Sequence, residues 1–134
     1  MNVIAVTEDG KVVLVRQYRH GTGEVTLEIP GGAVEKDDRS PLLAARRELL
    51  EETGFAAKRW RRLGVVHPNP AILSNACTTY LAEGARRVAD PTPDAGEDLT
   101  VELVSLRALP GLVRSGAIRH SLVVAAFHFL SLAR

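Results

Sequence analysis

A single cysteine, Cys77, excludes an internal disulfide and a cysteine-based zinc cage, and makes a reducing cytoplasm the expected setting. On its own such a cysteine reads as core filler. Aromatic residues are only 4% of the 134, which leaves few side chains able to stack on a base. Neither sign of charge dominates: 17 basic and 16 acidic residues give a formal net charge of +1, and the basic residues read as interspersed rather than gathered. No nucleic-acid or membrane footprint is therefore expected. Long hydrophobic runs are missing as well. "SLVVAAFHFLSLA" is strongly apolar but short of the ~20 residues a bilayer span requires, so it reads as a buried helix. "MNVIAVTEDGKVVLV" lacks a basic leader and a sustained apolar core, and its alternation breaks at Asp9-Gly10, which predicts a hairpin rather than an export signal.

What is present, 46% hydrophobic and 25% charged residues, suits one globular domain over residues 1–134 with one core. Val3 to Val6 and Lys11 to Gln17 read as the two strands of the hairpin, and "EVTLEIP" as a third strand ending at Pro30-Gly31-Gly32. Ser40-Pro41 is an N-cap followed by a proline at the first helical position, so a helix is predicted from there to Thr53, closed by Gly54. Leu42, Ala45 and Leu49 form its buried stripe, with Phe55 just beyond. "WRRLGVVHP", "NACTTYLAE" and "LTVELVSL" read as three further strands, with a proline-rich acidic loop, "DPTPDAGED", before the last. Leu106 to Val113 reads as a short helix, and Ser121 to Leu132 as a longer one that is apolar nearly all round. Strands interleaved with helices predict an α/β (α+β) fold with a mixed central sheet covered on both faces.

The predicted helix carries Glu48, Glu51 and Glu52 along one edge, since residues three and four apart are neighbours. One reading is a solvated acidic face, with Arg47 pairing to Glu51 at i, i+4. Against it, the three carboxylates fall in the C-terminal half, where the helix dipole is also negative. A hard divalent cation would offset that charge, and Mg²⁺ in particular is held by one or two carboxylates together with substrate phosphate oxygens. Gly31-Gly32 allows backbone to approach a ligand closely and could free a carbonyl oxygen for the same ion, although such pairs are also ordinary turns.

"GGAVEKDDRSPLLAARRELLEETGF" resembles the Nudix box, whose second half, Arg-Glu-U-x-Glu-Glu-x-Gly-U with U apolar, is matched at every fixed position by Arg47 to Phe55. The first half departs from the pattern. Counted forward from Gly32 the expected glutamate falls on Asp38, and counted back from Arg47 it falls on Arg39, so the connecting loop is one residue longer. Asp38 is the stand-in, with loop-shaping as its expected role. Upstream, "VLVRQYRHGTGEVTLEIPGG" is similar to the segment preceding the box in ADP-ribose pyrophosphatases.

The resemblance implies a Nudix-type α/β/α sandwich. It also implies Mg²⁺- or Mn²⁺-dependent hydrolysis of a nucleoside diphosphate linked to another moiety, ADP-ribose giving AMP and ribose 5-phosphate. Candidate metal ligands are Gly31, Glu48, Glu51 and Glu52; candidate catalytic residues are Arg47, Glu51, Glu52 and Glu97. Candidate substrate-binding residues are Arg16, Arg19, Glu28 and Pro70. Arg16 and Arg19 also read as charges on a strand edge, Pro70 as an ordinary loop proline, and Asp94 and Asp98 compete with Glu97. Tyr18 and Trp60 are the candidates for stacking on adenine, and both also read as packing residues. His20, His67, His120 and His128 read as surface or packing residues, not metal ligands. Relatives of this branch carry extra N-terminal strands that help build a dimer and the adenine site, whereas this chain starts close to the catalytic domain; a homodimer is the assembly the resemblance implies. Two other functions fit: hydrolysis of nucleoside triphosphates or dinucleoside polyphosphates, and nucleotide binding without catalysis.

Overall fold

Asp9-Gly10 turns the chain as its sequence predicts. In the computed structural model, which describes residues 1–96 and 98–133, Gly10 adopts φ 76° and its N–H donates to the Thr7 carbonyl oxygen at 3.1 Å. The flanking strands β1 (Asn2–Thr7) and β2 (Lys11–Arg19) pair antiparallel. β3 (Glu24–Glu28) continues on β2, which along residues 11–17 also takes β7 (Leu99–Ser105), both antiparallel. β1 pairs in parallel with β6 (Cys77–Arg87), and β6 in turn pairs antiparallel with β5 (Arg59–Val66) and with the two-residue β4 (Phe55–Ala56). The result is a mixed seven-stranded sheet.

Alternation along β1 and β2 decides which helix each face receives. Val3, Ala5 and Val13 point to one side, where they pack with Ala45 and Leu49 of α1 (Pro41–Thr53) and with Phe55. Ile4, Val12 and Leu14 point to the other, against Ile118 and against Val123, Ala126 and Leu130 of α3 (Ser121–Leu132). The two clusters make the layers of an α/β/α sandwich. α1 is capped as predicted: Ser40 Oγ accepts the Leu43 N–H at 3.2 Å, and Gly54 closes the helix at φ 72° with its N–H on the Leu50 carbonyl at 2.8 Å.

Four expectations change. β4 was not predicted, because two residues are too short to show a period. The segment from Leu106 begins as one 3₁₀ turn, Leu106–Ala108, and a separate helix α2 (Leu109–Arg114) comes after it. Pro110 explains the restart, since it has no N–H to donate and is accommodated in a first helical turn. α3 is not buried all round: Val123, Ala126 and Leu130 face the sheet, while Val124 and Leu132 are exposed at 37% and 69%. The spread of charge is also less even than composition suggests. Lys58, Arg59, Arg61 and Arg62 gather at the start of β5 and make no ion pair among the described residues.

Candidate functional site

The glycine turn is fixed to the sheet before it meets the helix. Val3 N–H donates to the Pro30 carbonyl at 2.8 Å, Gly32 N–H to the Met1 carbonyl at 3.0 Å, and the Met1 ammonium to the Gly32 carbonyl at 2.8 Å. No side chain fits here: a Cβ on Gly31 would come within 2.6 Å of the Met1 carbonyl oxygen, and one on Gly32 would overlap the Glu48 carboxylate. The turn therefore lies directly against α1. Gly31 N–H donates to Glu52 Oε2 at 3.0 Å, and the Glu52 side chain, on a residue only 3% exposed, is held at the base of this contact.

Arg47 supplies the positive charge that the acidic edge of α1 requires. One nitrogen, Nη1, contacts Glu48 at 3.2 Å and Glu51 at 3.0 Å, while Nη2 and Nε reach Asp38 at 3.0 and 3.3 Å. Glu35 lies 3.7 Å away. The hydrogen bond with Asp38, then that with Glu51, raises the Arg47 pKa above its ordinary value despite partial burial. Asp38 is held below the usual carboxylate range, first by Arg47 and then by the Glu35 N–H, which it accepts at 2.8 Å. Asp38 thus braces the turn at 35–38, and both the Arg47–Glu51 pair and the clustered carboxylates read from sequence are present together. As placed, no three acidic or histidine side chains among the described residues converge into a closed metal cage. Two carboxylates beside a glycine turn are nevertheless the kind of oxygen donors that Mg²⁺ takes together with phosphate oxygens. The space that a Cβ on Gly32 would fill is next to one of them.

A cavity of ≈ 510 Å³ is walled by Gly31, Gly32 and Glu52, and also by Arg19, Glu28 and His120. Arg19 grips Glu28 with two bonds, Nε to Oε1 at 2.8 Å and Nη2 to Oε2 at 2.7 Å, and Thr26 Oγ1 donates to Oε1 at 2.6 Å. Burial pushes the Glu28 carboxyl up, but these bonds and the neighbouring charge outweigh it, so its pKa lies below the ordinary value. His120 N-caps α3: its Nδ1 accepts the Leu122 N–H at 3.2 Å. Asn2, 7% exposed, ties β1 to the same turn through Nδ2 and the Leu122 carbonyl at 3.2 Å. A second cavity, ≈ 420 Å³ between α2 and α3, is lined mainly by Leu109, Val113, Phe127 and Leu130 and has no carboxylate, so phosphoanhydride chemistry does not belong there.

A NUDIX domain matches residues 1–127. The chain belongs to the NUDIX family. It is 33% identical over 132 residues to an ADP-ribose pyrophosphatase of Bacillus subtilis, covering 97% of this chain and 70% of that protein. To an ADP-ribose pyrophosphatase of Mycobacterium tuberculosis it is 32% identical over 124 residues, covering 92% of this chain and 60% of that one. Its fold matches a crystal structure of an ADP compounds hydrolase with a TM-score of 0.86 at 22% identity, over 97% of this chain and 69% of the other. As a Nudix hydrolase it is a pyrophosphohydrolase, and the family's need for a divalent metal fits the donor set above.

The Nudix candidates fall into three groups. Gly31, Glu52, Arg19 and Glu28 share the cavity; Glu48, Glu51 and Arg47 adjoin it through Gly32 and the helix edge. Arg16 and Pro70 are not in its lining: Arg16 is turned toward β7, where Nε meets Glu102 at 2.7 Å, and Pro70 lies in an exposed turn, with Pro68 lining the cavity instead. Neither Arg16 nor Arg19 is on a free edge, since both are registered against β3. Glu97 lies outside the described residues; nearby, Thr92 N–H donates to the Glu51 carbonyl at 2.7 Å, which anchors the acidic loop to the end of α1. Tyr18, which is exposed, meets His20 edge-on, and Trp60 donates to the Ala57 carbonyl with Arg46 over its ring; neither lines the cavity. His120, read from sequence as a surface or packing residue, lines the cavity and caps α3, its only signal being its place one residue before a helix.

Proposed function

We propose that this Nudix domain hydrolyses a nucleoside diphosphate joined to a second moiety, with ADP-ribose, split into AMP and ribose 5-phosphate, as the favoured substrate. The buried Glu52 carboxylate, bonded to Gly31 N–H in the wall of a cavity that also holds Arg19, Glu28 and His120, carries this reading. The similarity to two ADP-ribose pyrophosphatases supports the choice of substrate. Glu48 and Glu52, with the Gly31 carbonyl, are the residues that would hold Mg²⁺ or Mn²⁺. Such an ion, when bound, neutralises the diphosphate and lowers the pKa of the attacking water. Arg47 holds Glu48 and Glu51 in place by charge-assisted bonds, Glu51 or Glu97 takes the proton, and Arg19 with Glu28 binds substrate. Residues 1–134 are taken as one catalytic domain in the cytoplasm, where a lone buried cysteine is at home, with a nucleotide as partner and a homodimer as the assembly. No described helix is long and apolar enough to cross a membrane.

Turnover of ADP-ribose, oxidised dGTP and diadenosine tetraphosphate, each with Mg²⁺ and with Mn²⁺, tests this. The expected result is AMP and ribose 5-phosphate from ADP-ribose at the highest kcat/KM. Preference for either of the others would replace the substrate, and nucleotide binding with no metal-dependent product would remove catalysis altogether.

A further inference from the structure

Two atoms in the cavity are left with complementary, unused hydrogen-bonding capacity. His120 Nδ1 accepts a backbone N–H, so in the neutral ring the proton is on Nε2. That Nε2–H makes no hydrogen bond among the described residues. Its nearest acidic atom, Glu28 Oε2, is 3.9 Å away, beyond bonding distance. On Glu28, Oε1 already accepts from Arg19 and Thr26, which fills both of its lone pairs, whereas Oε2 accepts from Arg19 alone and keeps one. A donor and an acceptor thus face each other across a gap too wide to close and too narrow for a bulky group.

We propose that this gap is a subsite for a sugar hydroxyl of the substrate, which accepts from His120 Nε2–H and donates to Glu28 Oε2. An oxygen about 2.8 Å from each of two atoms 3.9 Å apart makes the two contacts at roughly 90°, which a hydroxyl tolerates. The occupant must donate and accept through one atom. A phosphate oxygen fails the first demand and is repelled by Glu28. Both partners are held in place: Glu28 is 3% exposed and clamped by Arg19, and His120 is fixed by its bond to the first turn of α3. The assignment rests on the proposed nucleoside-diphosphate hydrolysis, and it makes His120 a binding residue for one sugar of the substrate.

His120→Asn is the informative variant, because asparagine still caps the helix but falls short of the cavity. With ADP-ribose, KM is expected to rise about tenfold, the loss of one hydrogen bond, while kcat and the unfolding midpoint stay close to wild type. The same pair of enzymes is then compared on two analogues, one lacking the hydroxyls of the terminal sugar and one lacking those of the adenosine sugar. For one of them the variant and wild type should have equal KM. The proposal is overturned if His120→Asn leaves KM for ADP-ribose unchanged, as it would were the gap filled by water, or if the tenfold penalty persists on both analogues. A wild-type enzyme inert toward ADP-ribose would overturn the functional reading itself, a separate outcome.

Discussion

Arg47 shows how one side chain can settle a local conflict. Three carboxylates on the C-terminal half of a helix repel one another and the dipole, yet a single guanidinium touches Glu48, Glu51 and Asp38 within 3.3 Å. Glycine does comparable work by omission. Gly32→Ala would push a methyl group into the Glu48 carboxylate, and turnover should fall by about 10- to 100-fold, the scale seen when groups that orient metal ligands are disturbed. The check is kcat/KM as a function of Mg²⁺ concentration, where the variant should need more metal. Glu28 gives a prediction in pH. Its folded pKa lies below the ordinary value of 4.5, so its contribution to stability is complete above that value and is lost as pH falls through the folded value, where the unfolded chain has already taken its proton. Glu28→Gln should therefore be less stable at neutral pH and should lose less stability on acidification from about pH 5 to 3, measured by denaturant unfolding. The motif glutamates were legible because their spacing is local. The Arg47–Asp38 bond and the place of His120 were not, since each depends on where a loop or a distant helix docks.

At the scale of elements, α1 was legible to the residue because both of its ends carry side-chain signals that act within one turn. Ser40 accepts a helix N–H, Pro41 needs none, and Gly54 adopts a left-handed φ of 72°. Gly54 also anchors the chain just past the end of β6, since its carbonyl accepts the N–H of Val88 and of Ala89. A Cβ there would overlap the Ala89 carbonyl oxygen. Gly54→Ala should destabilise by roughly 1–2 kcal/mol from the backbone alone, with the overlap adding to it. Thermal unfolding should show a lower midpoint, and an unchanged one would mean that the turn relaxes freely. β4 and the break at Pro110 were missed for opposite reasons: two residues show no period, and an apolar run hid a proline that restarts the helix. The "KRWRR" cations were visible in the chain but diluted by averaging charge over its length.

Across the whole molecule, the sheet is what turns distant sequence into one site. β1 pairs in parallel with β6 and bridges to Gly31, so the first residues of the chain buttress the glycine turn. α1 covers one face and α3 the other, and the cavity opens where Gly31 and Glu52 on one side meet the first turn of α3 on the other. No window of sequence contains that meeting of segments about 90 residues apart, which is why alternation and caps gave the layers but not the pocket. Everything proposed for the site depends on buried Glu52 serving chemistry and not packing. Glu52→Gln keeps the shape and can still accept the Gly31 N–H, but removes the charge. The decisive experiment is turnover of ADP-ribose by this variant at saturating Mg²⁺, alongside its unfolding midpoint. Loss of turnover by orders of magnitude with an unfolding midpoint at or above wild type is the expected outcome; turnover at the wild-type rate would refute the role given to Glu52.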